Sequence, residues 1–87
     1  MKWYKNKIES FDRDKAGVHG KRNHYLFNIK AHTIGWEKKH VGWYVLIEDL
    51  KSNNKKNSLW DRKYWKEMED AKKWCEEYAD KNENNRI

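Results

Sequence analysis

Cysteine occurs once in these 87 residues, at position 75. A lone thiol excludes an internal disulfide and a cysteine metal cluster, and it agrees with a reducing compartment. No apolar run approaches the roughly 18–20 residues that a membrane-spanning helix needs. The opening MKWYKNKIES lacks the apolar stretch of a signal peptide, so the expectation is a cytoplasmic chain. Absent too are a glycine-rich phosphate loop, G-x-S-x-G and H-E-x-x-H, which argues against an enzyme and calls for no cofactor. Hydrophobic residues are scarce, 37% against 39% charged, a balance that by itself leans toward disorder.

Aromatic residues pull the other way. They make up 15% of the chain, with six Trp and five Tyr, and a buried aromatic removes about 150–250 Å² from water. Indoles standing in for missing aliphatics give a small core, and the length suits one domain rather than two. That domain is expected over residues 1–81, with 82–87 as a frayed tail. Charge is unevenly spread around the net of +6: residues 1–63 hold 15 Lys/Arg against 7 Asp/Glu (+8), residues 64–87 hold 5 against 7 (−2). A basic portion of this kind attracts phosphate or an acidic protein patch.

The pattern predicts an α+β domain, a three- or four-stranded antiparallel sheet packed by one C-terminal helix. Residues 2–9 read as an edge strand and 12–23, with Gly17 and Gly20 among charges, as a loop. In 24–34 the set Tyr25, Phe27, Ile29, Ala31 alternates with Leu26, Asn28, Lys30, His32, the period of a half-buried strand. The segment 35–42 reads as a solvated turn and 43–49 as the central strand, while the polar 50–58 reads as a loop. Residues 58–64 leave two readings open: a capped helix start at Ser58 with Asp61, or a fourth strand. Either way a helix runs from about Lys66 to Asp80, its stripe Met68, Ala71, Cys75 and Tyr78 facing the core, with Trp74 and Trp65 on its shoulders. Glu69 with Lys73, and Lys66 with Asp70, are spaced for ion pairs on its outer face. The predicted core is Tyr25, Phe27, Ile29, Trp43, Val45, Ile47 and that stripe.

GWYVLI, a polar loop and then WKEMEDAKKWCEEYAD resemble a group of small bacteriophage and mobile-element proteins. In that group a glycine-tryptophan strand start precedes an aromatic-x-x-L-E-E-A-K helix start. Trp65, Met68, Ala71 and Lys72 fall on the matching places, and the resemblance covers about residues 42–80. It implies a sheet covered by one C-terminal helix and favours the fourth strand. Some proteins of this group resemble inhibitors of host defence, including anti-CRISPR proteins, which would place the chain in host cytoplasm. The long 50–58 loop and the heavy load of Trp depart from the pattern.

Four histidines, His19, His24, His32 and His40, have no cysteine or close histidine partner and read as surface residues rather than metal ligands. Cys75 lies on the apolar stripe, where a thiol is an inert small hydrophobe. The carboxylates Glu67, Glu69, Asp70, Glu76, Glu77 and Asp80 are interleaved with lysines and read as a solvated helix face. What remains is cations interleaved with rings: Lys21 and Arg22; Trp36 with Lys38 and Lys39; Lys55 and Lys56; Trp60 with Arg62 and Lys63. Exposed Trp beside Lys or Arg is the composition of a protein-binding hot spot. Lysines with an exposed ring equally suit phosphates and an unpaired base. The leading reading is a non-enzymatic binding protein that antagonises a host nucleoprotein or defence complex through these residues. Direct DNA or RNA binding by the same residues is the alternative, and dimerisation through Trp60 and Trp65 a third.

Overall fold

In the computed structural model, which describes residues 1–6, 17–37 and 39–84, five strands form one antiparallel sheet and a C-terminal helix packs on it. The strands are β1 (Trp3–Lys5), β2 (Val18–Arg22), β3 (Tyr25–Ile34), β4 (Lys39–Asp49) and β5 (Asn54–Asn57), and the helix α1 is Met68–Asn84. Each strand pairs with its neighbour in sequence, in the order β1-β2-β3-β4-β5. The alternation in β3 does what a half-buried strand requires: Tyr25, Phe27 and Ile29 are buried, and Lys30 is exposed. Register carries that alternation across the sheet, since Phe27 lies opposite Ile47 and Ile29 opposite Val45, both buried.

The helix meets this face through small residues. Ala71, Cys75 and Ala79 recur at four-residue steps and are wholly buried, so one narrow line of the helix lies against Phe27, Ile29 and Val45. The bulk comes from the sheet and the closeness from the helix. Tyr78 meets Phe27 and Tyr25 edge-on, with centroids 6.1 and 5.5 Å apart, the preferred geometry for ring pairs. Trp3, Trp43, Trp65 and Trp74 pack around the margin, partly buried. The indoles therefore frame the core rather than fill it, and the largest wholly buried side chains are Phe27, Ile29, Val45 and Cys75. Trp43, Met68 and Tyr78, expected inside, are half-buried, and Val18 and Ala79 join the core.

The sheet has five strands rather than three or four. Of the segment 12–23 expected as a loop, residues 18–22 form β2, and 12–16 lie outside the described residues. Gly20 explains part of this: a Cβ there would stand 2.9 Å from the Trp3 ring, so its absence lets the indole of β1 lie across β2. Of the expected edge strand 2–9, residues 3–5 are strand and 7–9 lie outside the described residues. The turn between β3 and β4 is shorter than expected, because the ladder resumes after a bulge at His32/Thr33 and pairs Thr33 with His40 and Ile34 with Lys39.

The expected loop 50–58 contains β5, which pairs Asn54–Asn57 with Leu46–Asp49. Its sequence NKKN shows no apolar period because it is an outer strand, where lysines are common. Asp49 sets the turn before it: its Oδ1 accepts from the Lys51 N–H at 3.0 Å and the Ser52 N–H at 3.4 Å, while Asn53 takes the left-handed conformation. Desolvation pulls the Asp49 carboxyl upward, but the Lys51 and Ser52 hydrogen bonds and the charge of His24 outweigh it and hold the group below its ordinary value. In α1, Lys72 pairs with Glu69 at 3.2 Å, whereas Lys66, expected to pair from within the helix, precedes it. The helix continues past Asp80 to Asn84.

Phe27→Ala should cost about 3–5 kcal/mol, comparable to the whole stability of a domain this small; urea unfolding or loss of amide dispersion in a heteronuclear spectrum reads it. Burial pushes the Cys75 thiol far above its ordinary value, and the Glu76 charge adds to that. Native protein at pH 8 should therefore resist iodoacetamide, and unfolded protein should react fully. Rapid alkylation of the native chain would contradict a closed helix–sheet contact.

Candidate functional site

Among the described residues, no element covers the face of the sheet opposite α1. Its side chains follow from register. Tyr4, His19, Asn28, Leu46 and Asn57 form one row across all five strands. A second row is Lys21, Leu26, Glu48 and Lys55, and Lys30 lies opposite Tyr44. Leu26, Asn28 and Leu46 are only half-buried, as expected of a face with none of the described elements packed on it. Lys21, Lys30 and Lys55 are exposed, and Lys21 and Lys55, three strands apart, stand about 14 Å from each other at normal strand spacing. Glu48 is the acid in these rows. Behind the sheet, α1 carries six Asp/Glu and three Lys, so the charge asymmetry of the sequence becomes an asymmetry between two faces.

Rings flank the lysines. Tyr4, 57% exposed, stacks on His19 with centroids 5.8 Å apart, and His19 Nδ1 lies 2.7 Å from Asn6 Oδ1. At the other end His32 sits between Tyr44 and Tyr64, at 6.1 and 4.9 Å, and Tyr64 is 48% exposed. Gly42 makes room for Tyr64, since a Cβ there would stand 2.9 Å from the ring and 2.5 Å from the Trp65 carbonyl oxygen.

Residues 58–64, for which the sequence allows a helix start or a fourth strand, are neither. Ser58–Asp61 form one turn of 3₁₀ helix, Arg62 is left-handed, and the chain returns to the sheet at a single bridge. There the Trp43 and Trp65 backbones exchange hydrogen bonds of 2.7 and 2.8 Å. Ser58 caps no helix. Its buried Oγ instead accepts from the Val45 N–H at 2.9 Å, replacing the backbone partner lost where β5 ends. Asn57 serves the turn, its Oδ1 accepting from the Leu59 N–H.

This folded-back edge and α1 enclose a cleft of about 470 Å³, with Ile47 and Ser58 at its base and Trp74 and Tyr78 along the helix wall. Hollows of about 220 and 330 Å³ share part of its lining, one Ile47, Lys56 and Tyr78, the other Lys63 and Trp74.

The sequence-predicted cations and rings thus divide among separate places. Lys21 and Lys55 project from the uncovered face, while Lys56 and Lys63 line the cleft and Arg62 the adjoining hollow. Arg22 points toward the helix side and pairs with Asp80 at 2.9 Å, a half-exposed contact worth about 0–1 kcal/mol. Trp36, wholly exposed, lies in the β3–β4 turn and Lys39 opens β4; Lys38 lies outside the described residues. Trp60 is 71% exposed on the 3₁₀ turn. Among the described residues, no one patch gathers the nine that can be placed. The residues missed were Tyr4, Lys30, Tyr44 and Tyr64 on the face and Trp74, Tyr78 and Lys81 at the cleft. The alternation in 24–34 already put Lys30 outward, but joining it to Tyr4 and Lys55 required the register.

The other histidines serve local contacts: His24 Nε2 lies 3.7 Å from Asp49 Oδ1 and His40 meets Trp43 edge-on at 4.8 Å. Among the described residues no three His, Cys, Asp or Glu converge as a metal would need, and no helix is long and apolar enough to cross a membrane. Compared with protein-family models, curated proteins and solved structures, the chain matches none.

Ser58→Ala would leave the buried Val45 N–H without its acceptor and should cost about 1–3 kcal/mol. Amide exchange at Val45 should accelerate along with the loss in urea midpoint. Unchanged exchange would mean that another group satisfies this amide.

Proposed function

We propose that the chain is a non-enzymatic binding domain that lays single-stranded nucleic acid across the uncovered sheet face. The observation that carries this reading is the joint display of Lys21, Lys30 and Lys55 with Tyr4 and Tyr64 on one face, behind which the acidic helix repels phosphate. Lysines follow a backbone without reading sequence, and exposed rings stack on unpaired bases of any kind. A sheet face flanked by rings suits a splayed strand better than a duplex, whose bases are already stacked. Stacking on Tyr4 or Tyr64 would contribute about 1–3 kcal/mol per base.

A second reading, favoured by Trp36 at 101% exposure and Trp60 at 71%, is antagonism of a host nucleoprotein or defence complex, with these indoles as protein anchors. It differs from the first in where it fails. Trp36→Ala should abolish capture of a host protein and leave oligonucleotide binding untouched.

Three lysines on single-stranded phosphates should give a slope of log K against log salt of about −2. Fluorescence anisotropy with random oligonucleotides between about 50 and 200 mM salt measures it. Lys21→Glu with Lys30→Glu should flatten that slope and weaken binding, with the fold checked by circular dichroism. Absence of binding at low salt, or an unchanged slope in the folded double variant, would sink the nucleic-acid reading.

A further inference from the structure

The cleft between α1 and the folded-back edge lies on the helix side of the sheet, away from the face assigned to strand binding. Its size falls within the roughly 300–1,000 Å³ of small-molecule sites, and such sites pair an apolar wall with a few converging polar groups. The wall here is aromatic. The Trp74 and Tyr78 rings lie 5.3 Å apart at 34°, with Trp65 extending the row at 5.0 Å from Trp74. Both Trp74 and Tyr78 line the cleft and are half-exposed.

Three ammonium groups come to this opening from three separate elements, Lys56 from β5, Lys63 from the segment after the 3₁₀ turn and Lys81 from α1. Two carboxylates, Asp61 and Glu77, share the rim. The ion pairs of the described residues are Met1 with Glu76, Arg22 with Asp80, His24 with Asp49 and Lys72 with Glu69, and none involves these five groups. These charges are thus held around an aromatic wall with no ion pair among them.

We propose that this cleft binds a nucleoside monophosphate, the base against Trp74 and Tyr78 and the phosphate among Lys56, Lys63 and Lys81. A phosphate of charge about −1.5 to −2 at neutral pH matches a cluster of ammonium groups. A nucleobase is the planar group that such a wall stacks most tolerantly. Asp61 and Glu77 give the site its selectivity, because carboxylates accept from ribose hydroxyls and ring amino groups and repel further anionic charge. Free nucleotide and the terminal nucleotide of a strand present this same chemistry. The site does not depend on strand binding at the sheet face, and the two are separable by mutation.

The test is a heteronuclear NMR titration of the full chain with AMP, adenosine, inorganic phosphate, and a short oligonucleotide with or without a 5′-phosphate. AMP should shift the Trp74 indole N–H and saturate, with adenosine and phosphate each at least about tenfold weaker. Lys63→Glu with Lys81→Glu, both exposed positions, should weaken AMP by about tenfold or more and spare oligonucleotide binding at the sheet face. Lys21→Glu with Lys30→Glu should do the reverse. Preference for the 5′-phosphorylated oligonucleotide over AMP assigns the cleft to strand ends; the opposite preference assigns it to free nucleotide. The proposal is overturned if AMP fails to saturate, if phosphate binds as tightly as AMP with Trp74 unmoved, or if the sheet-face variant abolishes AMP binding.

Discussion

The close seating of Ala71, Cys75 and Ala79 on Phe27, Ile29 and Val45 is the contact on which the remaining architecture rests. With few aliphatic residues the chain cannot afford a thick core, so it brings backbone near backbone and lets side chains from the sheet fill the space. One consequence is positional. With the apolar line of the helix consumed by one side of the sheet, the tryptophans are displaced to the margin, where Trp43, Trp65 and Trp74 wall the helix edge and Trp36 and Trp60 meet solvent. The same contact fixes which residues of β2, β3, β4 and β5 turn away from the helix.

Charge follows from this layering. A net of +6 says little about where a partner would sit, whereas the helix, with twice as many acids as lysines, and the sheet face with three lysines lie back to back. An anionic polymer near this molecule meets an orienting field before it meets any particular side chain. The cleft at the margin is electrically mixed, and mixed charge around rings suits a small polar ligand better than a long polyanion.

Much of the fold was readable because periodicity reports burial. Tyr25, Phe27 and Ile29 alternate as a half-buried strand must, Val45 and Ile47 continue that face, and Ala71 and Cys75 fall on one helix line. The elements that were not readable are those whose residues bury little. β5 is four polar residues with no period, and β2 owes its place to Gly20, whose contribution is the space left for Trp3. Residues 58–64 fit neither reading because a side-chain hydroxyl, that of Ser58, takes over a ladder hydrogen bond, which no propensity scale encodes. For the site, residue types were legible and neighbours were not. Lys55 and Lys56 are adjacent in sequence yet serve opposite faces, since strand geometry separates successive side chains.

The buckle after Asn57 also bears on what the β5 edge offers to another strand. An outermost strand offers its bare peptide groups as a template for another copy, and a ring-rich chain at cellular concentration invites stacking into fibres. Here that rim is broken after four residues by the 3₁₀ turn and resumes at one bridge, so an incoming strand finds no straight run to zip against. The irregularity that hides this segment from periodicity thus also shortens the free backbone that this edge presents.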